Sequence, residues 1–227
     1  MYQQTTSQDI LATSLPKRLN AMVMFAWELF GQKISTGLLV INKEASMQLK
    51  YAFILQELIP LITFSAHEKI DIDLESTRIV EGKSREIDIL ITCTDTSNVT
   101  PQTYSIAIEL KCYKKLAASG NPRGAHDVFM KDVYMDLLLL EQYKKNQCAD
   151  ECISLVMSDY NLSVSSPVKT AKCWVYDIND GHVINAGTTY TTIVGSKKNA
   201  INFTLEQNYK FKWQQYGDYW LTALKAY

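Results

Sequence analysis

Apolar residues follow helical spacing in two stretches near the start of the chain. After Ser14-Leu15-Pro16, where a proline suits a first helical turn, come Leu19, Met22, Val23, Phe25, Ala26, Leu29 and Phe30. Gly31 reads as the stop, and residues 36–41 as a short apolar link. Asn42 is placed to cap a second helix, in which Met47, Tyr51, Ile54, Leu55, Leu58 and Ile59 recur and Pro60 lies near the end. The period then drops to two. Ile70 to Leu74, Glu86 to Ile91 and Tyr104 to Lys111 alternate as strands, with turns at Gly82 and between Thr94 and Gln102. This predicts an antiparallel meander.

Residues 117–124 read as a loop. A long helix is expected over about 125–145, with Phe129, Val133, Leu137 and Leu140 on one face. Ile153 to Met157 is a short apolar strand. Strand-like stretches follow at Lys172 to Asp177 and Tyr190 to Val194, before a tail rich in Trp213, Tyr216, Tyr219 and Trp220. The order predicts an α/β fold of mixed α+β character, with a central mixed sheet flanked by helices. No linker divides the chain. A single domain over 1–227 is expected, with its core at about 42–160 and 161–227 as a β-rich extension.

Composition changes little in this picture. The 227 residues are 47% hydrophobic and 21% charged, which is ordinary for a globular chain, and the net charge is −1. That total excludes a basic coat protein but not a local basic surface beside an acidic site. The five cysteines, Cys93, Cys112, Cys148, Cys152 and Cys173, are odd in number and scattered, which argues for a reducing compartment over a disulfide framework. Cys148 and Cys152 are one helical turn apart, but no matching Cys or His pair supports zinc. Residues 1–13 read as polar and frayed, with no basic region followed by an apolar core. No secretory signal and no membrane span are expected, and the chain reads as cytoplasmic.

The chemistry concentrates on two of the strands. Glu109 and Lys111 are two apart and leave the same face of a strand that is otherwise apolar. Asp88 lies on the preceding strand, between Ile87 and Ile89. Strand pairing can bring it to metal-bridging distance of Glu109. Two carboxylates so placed repel, and Mg²⁺ relieves the repulsion while keeping waters for reaction. An adjacent amine can orient or deprotonate such a water, or steady charge on a phosphate. No Ser-His-Asp pattern, nucleophile elbow, phosphate loop or dinucleotide fingerprint supports another class of enzyme or a nucleotide cofactor.

Arg85-Glu86-Ile87-Asp88 and then Glu109-Leu110-Lys111, with Asp88 and Glu109 separated by 21 positions, resemble the PD-(D/E)xK nuclease motif. Asp88 matches the first acid, Glu109 the second and Lys111 the lysine; Ile87 stands where the motif has its proline. Glu44 fits the early helical acid that members often carry, and Glu57 is an alternative. The resemblance covers roughly residues 42–160 and implies a restriction-endonuclease-like fold. It further implies catalytic Asp88, Glu109, Lys111 and Glu44, with Mg²⁺ (Mn²⁺ as a substitute) held at Asp88, Glu109 and Leu110. The expected activity is endonucleolytic hydrolysis of DNA, of restriction or defence type. A homodimer is expected, since double-strand cutting commonly needs two protomers.

Lys114, Lys115, Arg123 and Lys131 are the candidate DNA contacts. Each also has a plainer reading. Lys114, Lys115 and Arg123 suit a solvated turn, and Lys131 suits an i,i+4 pair with Asp127. Lys197-Lys198 is a small basic loop. Asp71 and Asp73 read as a solvated strand face, and the C-terminal aromatics as core. Asp88 and Lys111 could form a structural ion pair with Glu109 solvated. The competing function is a nucleic-acid- or protein-binding module on a catalytically inactive nuclease-like fold.

Overall fold

The computed structural model describes residues 7–12, 14–117, 119–195 and 201–226. The Lys197-Lys198 pair lies outside these residues, as does most of the expected frayed start. Within that start, Ser7–Ile10 forms a short helical turn, α1.

The first amphipathic pattern forms α2, Leu15–Ser35, entered from an extended Ser14 with Pro16 in the first turn. Leu19, Met22, Val23, Ala26, Phe30 and Ile34 are buried along one stripe. Each large side chain so buried contributes about 1.5–3 kcal/mol of transfer free energy. Gly31 does not stop this helix. It lies inside it, and a Cβ there would come within 2.8 Å of the Tyr216 ring. The glycine permits close packing where the sequence suggested a terminus. The apolar link that follows is largely exposed at Leu38 and Val40, and only Ile41 is buried.

Helix α3 spans Glu44–Ile62. Its cap is one residue later than expected, at Lys43. Ser46 Oγ accepts from the Lys43 and Asn42 N–H groups, so Asn42 donates to the helix start instead of capping it. Helix α4 spans His126–Lys145 and begins from Ala125 in the left-handed region, φ 63°.

The main sheet has strands β1 (Glu68–Val80), β2 (Lys83–Asp95), β3 (Gln102–Tyr113), β4 (Glu151–Ser158), β9 (Gln214–Tyr216) and β10 (Tyr219–Leu224), in the order β1-β2-β3-β4-β10-β9. The pairs β1–β2 and β2–β3 are antiparallel, as the meander reading expects. Strand β4 is parallel to β3, with α4 as the crossover between them, and β10 returns antiparallel to β4. The sheet is therefore mixed and flanked by helices on both faces.

Alternation sends Ile89, Ile91, Cys93, Ile106, Ile108 and Leu110 toward a core shared with α2 and α3. Leu90, Ala107 and Val156 face a second core with α4 and the C-terminal third. That third adds two small antiparallel pairs, β5 (Val183–Ile184) with β8 (Tyr209–Lys210) and β6 (Thr188–Tyr190) with β7 (Phe203–Leu205). Lys172–Tyr176, read above as strand, is a 3₁₀ helix. Of the expected stretch 190–194, only Tyr190 belongs to a strand. Among the described residues, no helix is long and apolar enough to cross a membrane.

Candidate active site

The β2–β3 ladder runs from Asp95↔Gln102 to Ile89↔Ile108 and stops one pair short of Asp88 and Glu109. Beyond that point β3 lacks a main-chain partner on its β2 edge. Leu110 and Cys112 are two residues apart and point their N–H groups to that same edge. Carboxylates take both. Asp88 Oδ2 accepts from Leu110 N at 2.7 Å, and Glu44 Oε2 accepts from Cys112 N at 3.2 Å. The released Asp88 carbonyl accepts from Gln48 Nε2 of α3 at 2.7 Å. The parting strands are thus satisfied by side chains, as buried main-chain groups must be, and this fixes Asp88 and Glu44 beside β3.

Glu109 and Lys111 project from β3 into the same region. Glu109 is buried, and Tyr143 of α4 donates to its Oε1 at 2.9 Å. The Asp88 and Glu109 carboxyls lie near enough for each to feel the other electrostatically. Lys111 Nζ lies 3.4 Å from Glu44 Oε1 and 3.3 Å from Asp136 Oδ2, with only a fifth of its side chain exposed. The structure therefore brings Asp88, Glu109, Lys111 and Glu44 together, and adds Asp136 and Tyr143 from α4.

Four carboxyl groups (Glu44, Asp88, Glu109, Asp136) surround one ammonium; fully ionised, they would leave a net charge of −3 in a largely buried space. The acids respond as expected. Burial lifts Asp88 above its ordinary value, and Glu44 adds to the effect against the Leu110 N–H. Burial, then Asp88 and Asp136, hold Glu109 well above its own. Burial pushes Asp136 up to about 8, although Lys111 pulls it down. Burial works against charge on Lys111, but Asp136, Glu44 and Asp88 outweigh it and raise its pKa. The lysine holds its proton tightly, which does not suit a base.

Among the described residues, no three His, Cys, Asp or Glu side chains form a ready metal-ligand group. The donors nonetheless fit a hard divalent cation. Asp88 and Glu109 offer adjoining carboxylate oxygens with too little positive charge beside them, and the Leu110 main-chain carbonyl is the third expected donor.

The expected DNA contacts lie differently. Lys114 is engaged by Asp159 at 2.9 Å and by the Tyr219 hydroxyl at 3.1 Å, over the Tyr219 ring. Lys131 pairs with Asp132 at 2.6 Å, not with Asp127. Lys115 and Arg123 are exposed.

Asp136 and Tyr143 were not anticipated from the sequence. Their signal was present: Val133, Asp136, Leu140 and Tyr143 follow 3-4-3 spacing, so an acid stands on the apolar face of α4. The chain matches no family model, no curated protein and no solved structure, so what it does has to be read from this site.

Proposed function

We propose that the protein is a Mg²⁺-dependent nuclease of restriction-endonuclease-like fold that hydrolyses DNA phosphodiester bonds. The observation that carries this reading is the meeting of Asp88 and Glu109 where β2 parts from β3, with Lys111 beside them. Asp88, Glu109 and the Leu110 carbonyl would hold the cation. When bound, the cation supplies Lewis acidity at the phosphoryl group and a water acidic enough to attack near neutral pH.

The chain's own residues set the rest. Glu44 and Asp136 hold Lys111 from two sides. Lys111 then serves as a fixed cationic donor to a phosphoryl oxygen, where negative charge grows during displacement. Tyr143 orients Glu109 through its hydroxyl. Gln48 holds the Asp88 main chain, so the first acid cannot drift from the second.

The test is incubation with plasmid DNA, linear duplex, single-stranded DNA and RNA in Mg²⁺, Mn²⁺ or EDTA. Hydrolysis of DNA is expected with either metal and none with EDTA. Asp88→Asn, Glu109→Gln and Lys111→Met should each fold and lose at least about a hundredfold in single-turnover rate. Absence of cleavage by the parent on every substrate, or normal cleavage by Asp88→Asn, would overturn the reading.

A further inference from the structure

Strands β1 and β2 continue together after β3 has left them. Five cross-strand pairs, from Ser76↔Ile87 to Val80↔Lys83, extend past the end of the β2–β3 ladder. They make a two-stranded arm roughly 17 Å long at the usual strand rise. Glu81 and Gly82, both at positive φ, close it in a two-residue hairpin turn. Val80 and Ile87 anchor one side of the arm in the α4 core, and Gln142 of α4 donates to Glu81 Oε2 at 3.3 Å.

Arg78 is paired in register with Arg85 on this arm. Directly opposed residues share a face, and like charges there are destabilising. Lys83, two residues from Arg85, projects to the same side, which is also the side that Val80 and Ile87 bury; Arg85 and Lys83 stay exposed there and Arg78 is half-buried. Among the described residues, none of the three has a carboxylate partner. The nearby acids do not answer them: Glu86 is opposite Thr77 on the other face, and Glu81 is in the turn with Gln142. Lys111, Lys114 and Lys131, by contrast, are all engaged. Two opposed guanidinium groups with no internal anion suit an external one, and guanidinium pairs with phosphate in particular. Arg85 is three residues from Asp88, roughly 10 Å along the strand, or about three base steps of a duplex.

We infer that the Arg78–Arg85 pair, with Lys83, binds backbone phosphates of the polynucleotide and seats it beside the Asp88–Glu109 site. The inference rests on the nuclease reading and gives it a substrate surface. The test measures binding separately from cleavage. Fluorescence anisotropy with labelled duplex DNA, its single strand and an RNA of the same sequence is followed across a KCl series in EDTA. Arg78→Gln/Arg85→Gln should weaken binding of the preferred polynucleotide by roughly tenfold or more and lower the log–log salt slope by about two. Its melting midpoint should equal or exceed that of the parent, since a like-charge pair is removed. Lys17→Gln/Lys33→Gln, on exposed positions of α2, should change neither affinity nor slope.

If the arm variant binds as the parent does while the parent cuts DNA, the arm inference falls and the nuclease reading stands. A variant that melts lower yet binds normally would mark the arginines as structural and also overturns it. Should the parent neither bind nor cut any of the three polynucleotides, both fall.

Discussion

At the scale of single residues, Asp136 governs the electrostatics of the site. Its carboxyl is lifted from an ordinary 3.8 to about 8, burial being the main cause. A raised carboxyl favours the protonated fold, so its contribution to stability is complete below the ordinary value and is lost as pH rises through about 8. The melting midpoint of the parent should therefore fall between about pH 4 and about 8 more steeply than that of Asp136→Asn, and run parallel to it above that. Buried thiols such as Cys93, pushed up to about 11 by burial, disfavour the fold only at higher pH than this, and do so in both proteins. Curves parallel throughout would remove Asp136 from this role. Asp88, Glu109 and Lys111 were legible in the sequence because strand periodicity assigns faces and the motif spacing assigns partners. Asp136 was missed because an acid on an apolar helix stripe does not reveal which strand it will meet. That depends on how α4 lies across β3, and no local pattern encodes it.

At the scale of elements, propensity located the helices and packing set their ends. Gly31 illustrates the difference. Glycine near the end of an apolar stripe signals termination, yet α2 runs on to Ser35, and the ring of Tyr216, far along the chain, rests against Gly31. Gly31→Ala is expected to destabilise the fold by about 1–3 kcal/mol in denaturant titration, since the added methyl would overlap that ring. A stability equal to the parent's would show that the ring yields freely. The 3₁₀ helix Lys172–Tyr176 was misread for another reason: a short run with apolar residues at several successive positions does not separate strand from turn by period alone. Strands β1 and β2 proved longer than their alternating cores. Hairpin pairing carried them through Ser76, Thr77 and Ser84, where the apolar pattern had faded.

At the scale of the whole molecule, the last third of the chain is part of the main sheet. Strand β10 pairs with β4 through five residues, from Trp220↔Ser158 to Leu224↔Ser154, and the remaining segments complete the core over α4. A β-rich extension of the same domain was expected there, but its place beside β4 was not, because pairing between distant strands is set by the finished sheet. The acidic cluster between the layers stores repulsion that a divalent cation should relieve. Millimolar Mg²⁺ is expected to raise the melting midpoint of the parent, by an amount that grows with concentration, and to leave Asp88→Asn/Glu109→Gln nearly unmoved. An equal rise in both proteins would place any bound cation elsewhere.

The Tyr143 hydroxyl lies 2.9 Å from Glu109 Oε1 and 3.4 Å from the main-chain oxygen of Glu86, at the base of the arm. A phenol has one proton to give. Its donation to the acid and its donation to the arm are therefore alternatives, and a gain in one is a loss in the other. Whatever draws charge away from Glu109 frees that proton to fasten the strand carrying Arg85. The state of the acid and the grip on the ribbon that leads to it are joined through a single hydrogen atom.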